Sequence, residues 1–326
     1  MSSSIPASEQ RVAVITALAA NVAIAVAKFA ASAITGSSAM FAESLHSLAD
    51  SVNEVLLLVG ARRSRRPADL RHPFGHARYR YVYAFIVSLT VFWIGGVLAV
   101  IEGVSHLSAP DSLVDPRFAY VVLGVAAVLE GLSLRTTVRA GRPTKGALSW
   151  RQLLRATKAP ELIVVFLEDL GALIGIAIAL VGVTLATATG VEAWDAIASI
   201  AIGVLLMTIG LAVNRETQSL LVGESAAVDV VFAIREAIES TDGVEALLEL
   251  RTIHIGPDDL VIAAAIEVDP GEDAIAITRS IVDAEARVSE VTSFRTVIYI
   301  EPRLPTRTPP TPTPTPTPPE GTSGVG

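Results

Sequence analysis

The chain has 326 residues, 51% of them hydrophobic and only 18% charged. Soluble domains carry about 25% charged residues, so this balance argues against an ordinary soluble enzyme and for a chain built on membrane-spanning apolar runs. Cysteine is absent, which removes disulfides, thiolate zinc sites, iron–sulfur clusters and cysteine nucleophiles together.

The net charge of −8 is unevenly distributed. Residues 1–214 hold 17 basic and 14 acidic side chains, whereas residues 215–303 hold 7 and 18. A mildly basic apolar part joined to an acidic polar part predicts a membrane domain followed by a soluble one. The acidic part has the wrong sign for nucleic acid, so no nucleic-acid partner is expected.

In chain order, residues 1–10 are a polar tail without a basic n-region, so no cleavable signal is expected and the first apolar run stays as an anchor. Six apolar segments follow, at about 11–34, 38–61, 81–107, 118–138, 161–186 and 193–213, each long enough to cross a bilayer core as a helix. Seven arginines lie between Arg62 and Arg80, and six basic residues between Arg139 and Lys158. The loop between the third and fourth segments has only Arg117, and the other two loops have no Lys or Arg. The positive-inside rule then puts both basic loops, and both termini, in the cytoplasm. After Asn214 the pattern becomes that of a small α+β domain: a helix at 227–240, strands at 246–254 and 260–268 around the turn GPDD, a helix at 273–290 and a strand at 294–301. The remainder, 304–326, is Pro/Thr-rich and predicts an extended, disordered tail.

The second segment reads SSAMFAESLHSLADSVNEVLLLVG. Glu43, His46, Asp50 and Glu54 recur at helical spacing and share one face, with Asn53 beside them. Carboxylates inside a membrane are costly unless paired, hydrated or bound to a cation. His46 and Asp50, one turn apart, can reach one metal ion. The bland alternative is a hydrogen-bonding stripe that only holds helices together. In the fifth segment Glu168 and Asp169 are adjacent, so they lie about 100° apart around the helix, and only one is expected to face a given ion. A salt bridge from either to Lys28 is the structural alternative. Small Gly171 and Ala172 after Asp169 allow a close helix approach. A third group, Asp69, His72 and His76, lies in the first basic loop and offers two imidazoles and a carboxylate within eight residues. Glu102 and Glu130 are single carboxylates, expected to be structural, and His106 and His254 have no evident ligand partner.

The strings HSLAD at 46–50 and HPFGH at 72–76, within six spans and an acidic α+β domain, resemble the cation diffusion facilitator family over residues 10–303. FLEDLGALIG and SLLVGESA resemble its zinc-transporter-9-like branch. The resemblance implies a mid-membrane transport site on the second and fifth spans, at His46, Asp50 and Asp169. It also implies a metallochaperone-like cytoplasmic domain that makes a homodimer, and zinc-for-proton antiport. Two departures stand out. Val165 occupies the place of the usual first ligand on the fifth span, leaving Glu43, Glu168 or water to complete the set. In the soluble domain Leu248, Ala265 and Tyr299 replace histidines, and only Glu301 keeps a potential ligand.

The sequence therefore predicts a membrane α-helical protein of six transmembrane helices (11–214) plus a small cytoplasmic αββαβ domain (215–303). It is read as a divalent-cation transporter, not an enzyme, with the ion and protons as its small partners and no resident cofactor. Zinc is favoured because imidazole suits it, while Mn²⁺, Fe²⁺ or Co²⁺ fit the oxygen ligands. The expected location is the plasma (inner) membrane. The rivals are a membrane enzyme using His46 and Asp50, and a non-transporting assembly or sensor protein.

Overall fold

A computed structural model describes residues 7–108, 114–145 and 157–304. Six of the expected N-terminal tail residues, Arg151 and Arg155 of the second basic loop, and the Pro/Thr tail after Leu304 lie outside the described residues. The chain divides into two compact units between Leu221 and Val222.

The first unit is helical: α1 (Ala7–Thr35), α2 (Ser38–Ser64), α3 (Tyr79–Thr90), a π-helical turn (Val91–Val97), α4 (Leu98–Ser108), α5 (Arg117–Lys145), α6 (Pro160–Thr189) and α7 (Ala193–Val222). Among the described residues, four stretches are long and apolar enough to cross a membrane: Tyr79–Ser108, Arg117–Arg142, Pro160–Thr189 and Ala193–Val222. In α1 the described apolar part is Asn21–Thr35. The helix α2 carries Glu43, His46, Asp50 and Glu54 within its length, and those residues lower its hydropathy. Helices also run past the apolar segments that mark them. Thus α7 continues through RETQSLLV to Val222, so the expected boundary at 214/215 falls inside it. Backbone hydrogen bonding propagates a helix beyond the point where apolar residues end.

Packing is closest where glycines let backbones meet. A Cβ on Gly96 would reach Met207 and Gly203, and one on Gly203 would reach Gly96 and Val100, so the π-helical turn and α4 lie directly against α7. The π-helical turn holds Gly95 and Gly96 at this contact. A Cβ on Gly171 would meet Ile209, so α6 approaches α7 as its small residues predict. The apolar core includes Met40, Leu45, Val87, Leu123, Val164, Ile176, Ile202 and Leu206.

One polar contact fixes the end of the bundle away from the basic loops. Asp195, buried near the start of α7, accepts hydrogen bonds from Ser37 Oγ (2.6 Å), Ser38 N (2.6 Å), Ser38 Oγ (2.9 Å) and Ala39 N (3.3 Å). It therefore satisfies the unpaired amides at the first turn of α2 and opposes the positive end of that helix dipole.

The second unit contains α8 (Val228–Glu239), β1 (Ala246–Gly256), β2 (Asp259–Glu267), α9 (Ala274–Val291) and β3 (Arg295–Arg303). The strand order is β1-β2-β3. β1 and β2 form an antiparallel hairpin across Gly256/Asp259, while β2 and β3 are parallel and joined through α9, as a parallel pair requires a crossover. Asp273 caps α9 by accepting from the amides of Ile275 and Ala276. Ile234 and Ile238 of α8, Val288 of α9 and Leu260, Ile262 and Ile266 of β2 form its core.

Candidate transport site

A cavity of about 500 Å³ lies within the helical unit, lined by Asn21 and Ile24 of α1, Ser47, Asp50, Glu54, Leu57, Leu58 and Ala61 of α2, Leu129, Glu130 and Ser133 of α5, and Glu161, Val165, Glu168 and Asp169 of α6. It extends from the level of Asp50 toward the ends of α2 and α6 that join the basic loops. At that end Arg80 donates to both oxygens of Glu161, at 2.6 and 2.9 Å, and ties the start of α6 to α3.

Six of the lining residues, Asp50, Glu54, Glu130, Glu161, Glu168 and Asp169, are acidic, so the cavity is rich in carboxylates. Glu168 and Asp169 both line the cavity, because it is wide enough to subtend the 100° between adjacent helical positions. Asn53 Nδ2 donates to Glu168 Oε1 at 2.6 Å. Asp169 accepts from Ser133 Oγ (2.9 Å) and Thr137 Oγ1 (2.8 Å), both on α5. Neither pairs with Lys28. That ammonium instead donates to Glu43 Oε2 at 2.9 Å, both side chains being fully buried. Glu43 presses on α6 where a Cβ on Gly175 would overlap its Oε1. It is not among the residues that line the cavity, and while Oε2 takes Lys28, its Oε1 has no hydrogen-bond partner among the described residues.

His46 is 1% exposed, with Nδ1 3.4 Å from Asp50 Oδ1. Neither ring nitrogen has a hydrogen-bond partner among the described residues, and the same holds for Asp50 Oδ1, Ser47 Oγ and Asn53 Oδ1. Buried polar atoms left unpaired are costly. Here they cluster within two turns of one helix, beside a carboxylate-rich cavity. Their donor chemistry, imidazole nitrogen and carboxylate oxygen, fits a borderline divalent cation. His46, Asp50 and Asp169 are not gathered as tightly as a closed metal site. Among the described residues, the group whose ligand atoms all lie within 4.8 Å of one another is Asp69, His72 and His76.

That loop group is built locally. Asp69 Oδ1 accepts from the amides of Arg71 and His72, each at 2.8 Å, and lies 3.1 Å from His72 Nδ1. Donation by the His72 amide leads the contributions that hold the Asp69 carboxyl below its ordinary value, followed in the same direction by Arg71. His76 Nδ1 lies 3.1 Å from the Pro67 carbonyl and its Nε2 lies 3.5 Å from Asp69 Oδ2. A carbonyl on one ring nitrogen directs the other toward a ligand position. Gly75, at φ +82°, supplies the left-handed turn that brings His76 back to Asp69.

Elsewhere, His106 has a partner that its sequence context did not suggest: Glu102, one turn earlier on α4, is 3.3 Å from its Nδ1. In the second unit Glu301 pairs with Arg303, which also reaches Glu249, so the one potential ligand there sits in an ion-pair chain. Glu130 and Glu161 join the stripe residues Asp50 and Glu54 in the cavity wall, a position that the sequence alone does not show. Helical phase carried the missing signal for Glu130, which shares a face of α5 with buried Leu123, Ala126 and Thr137.

The family model for the cation efflux transmembrane domain matches residues 14–222. The chain is 30% identical over 237 residues to a proton-coupled zinc antiporter, SLC30A9, mitochondrial, of Xenopus laevis, covering 72% of this chain and 42% of that protein. It is 28% identical over 259 residues to metal tolerance protein C4 of Arabidopsis thaliana, covering 78% and 56%, and 25% identical over 229 residues to magnetosome protein MamB of Magnetospira sp., covering 69% and 72%. The chain thus spans less than half the length of the first of these relatives.

Proposed function

The chain belongs to the cation efflux family, the cation diffusion facilitators, which are transporters and not enzymes, and from that premise we propose that it moves divalent metal ions across a membrane in exchange for protons, with zinc as the favoured ion. The observation that carries this reading is His46, sealed in the helical unit 3.4 Å from Asp50, with neither ring nitrogen hydrogen-bonded among the described residues, beside a carboxylate-lined cavity.

In the proposed cycle His46, Asp50 and Asp169 bind the ion. Each ligand must be deprotonated to coordinate, so protons and metal compete for the same lone pairs and binding one releases the other. Asn53 and the hydroxyls of Ser133 and Thr137 orient the fifth-span carboxylates until α2 and the α5–α6 pair draw together around the cation. The cavity reaches toward the basic loops, which the positive-inside rule assigns to the cytoplasm. This arrangement is the one that loads from the cytoplasmic side, and its Asp195-capped end is the one that opens for release. Six spans, cytoplasmic termini and dimerisation through the α+β unit complete the proposal. Asp69, His72 and His76 form a second metal site in the loop. The oxygen-rich donor set leaves Mn²⁺, Fe²⁺ and Co²⁺ as the alternative cargo.

The test is ion flux in proteoliposomes across a panel of divalent cations. Zinc flux is expected in the wild type and its loss in Asp50→Ala and Asp169→Ala, each still eluting as the wild-type oligomer. Wild-type flux in either variant would remove these residues from the site. An absence of flux for any ion would favour an assembly or sensor role.

A further inference from the structure

The proposed ligands number three, because Val165 stands one turn before Asp169 where a fourth donor would reach the same ion, and Val165 faces the cavity. The other carboxylates near the cavity are mostly engaged. Glu168 is held by Asn53, Glu54 accepts from Asn21 Nδ2 (3.1 Å), Glu161 is clamped by Arg80, and Glu43 is paired with Lys28. Glu130 differs. It lines the cavity from α5, and among the described residues it makes no hydrogen bond and no ion pair.

Its position is fixed by its neighbours on α5. Ser133 and Thr137 both donate to Asp169, so this face of α5 lies against the ligand-bearing part of α6. Glu130 sits three residues before Ser133, on the same face and one turn along. Its charged neighbours are Lys28, which is already paired with Glu43, and the carboxylates of Asp169, Glu43 and Asp50. An unpaired carboxylate on an inward helix face in a membrane is costly and calls for a cation. The unpartnered His46 nitrogens beside Asp50 point to the same cation.

We propose that Glu130, on the fourth helical span, supplies the transported ion with the oxygen ligand that Val165 cannot, so that the site is assembled from three helices instead of two. The proposal rests on the transport-site reading above and deepens it. It makes the donor set one imidazole and three carboxylates. It also makes α5 a moving part, since drawing Glu130 to the ion carries Ser133, Thr137 and hence Asp169 with it.

The experiment measures zinc affinity of the full-length chain in detergent by calorimetry, in a His72→Ala/His76→Ala background that removes the loop site, for the otherwise unaltered chain (the wild type of this comparison), Glu130→Gln, Val165→His, the Glu130→Gln/Val165→His double variant and Asp169→Asn. Elution of the wild-type oligomer checks folding for each. Glu130→Gln is expected to weaken zinc binding by about tenfold or more, the scale on which metal sites respond even to loss of an orienting partner. The double variant is expected to recover most of that loss. Recovery separates coordination from simple charge attraction, because neutral imidazole adds a donor and no negative charge. Wild-type affinity in Glu130→Gln, or a double variant as weak as Glu130→Gln, overturns the proposal. If Glu130→Gln does not fold, the Glu130→Asp variant serves in its place: a ligand shortened by one methylene weakens binding, whereas a carboxylate acting only through its charge leaves it unchanged and overturns the proposal. Asp169→Asn separates the two levels. If it binds zinc like the wild type, the transport-site reading fails. If it is weak while Glu130→Gln is normal, only the role of Glu130 fails.

Discussion

Lys28 and Glu43 form a fully buried ion pair between α1 and α2, one turn from His46. Such a pair adds little net stability over an apolar pair, but removing one partner strands a charge and costs on the order of 3 kcal/mol or more. Lys28→Met should therefore lower the melting temperature of the detergent-solubilised protein more than Lys28→Met/Glu43→Gln does. Equal melting temperatures for the single and double variants would show that the pair is not coupled. The acidic stripe itself was legible from spacing: Glu43, His46, Asp50 and Glu54 do share a helix, and His46 does face Asp50. What spacing could not give was the identity of the residue across each gap. Spacing leaves Lys28 open to a salt bridge with Glu168 or Asp169, yet it takes Glu43, because one helix face contains no information on the rotation and height of its neighbour. For the same reason spacing does not show that Glu130 lines the cavity.

At the scale of elements, Asp195 joins the first turn of α2 to the first turn of α7 through four hydrogen bonds. Hydrogen bonds to a charged group contribute about 1.5–3 kcal/mol each at the upper end, so Asp195→Ala should be strongly destabilising, and Asp195→Asn less so because an amide oxygen still accepts. A thermal shift of similar size for both, or none for either, would contradict this role. The helices, strands and their order in the second unit could be read from periodicity, and β1, β2, α9 and β3 begin within one residue of expectation. Helix ends in the first unit could not. Hydropathy reports the apolar stretch, whereas α2, α5 and α7 continue into polar sequence. The π-helical turn at Val91–Val97 also left no clear mark beyond Gly95 and Gly96, which lie against α7.

At the scale of the molecule, the two units divide the work. The second unit has its own core and its acidic and basic side chains are engaged with each other at Glu249, Glu301 and Arg303. A ligand stabilises a fold only by preferring the native state. The isolated segment 222–304 is accordingly expected to fold without metal and to shift its melting temperature little in micromolar zinc; a large upward shift would reveal a metal site in it. The division into a membrane part and an acidic α+β part was visible in the charge asymmetry alone. That α1, α2, α5 and α6 together line one cavity was not, because this depends on how those helices pack.

In the proposed cycle metal and protons exchange at one site that includes Asp50 and Asp169. This exchange is tested most directly by recording zinc entry and lumenal pH together in proteoliposomes. The account predicts that zinc flux drives proton movement in the opposite direction, that an imposed pH gradient drives zinc flux, and that Asp50→Ala abolishes both. Zinc flux that leaves the lumenal pH unchanged, or coupled flux that persists in Asp50→Ala, would contradict it.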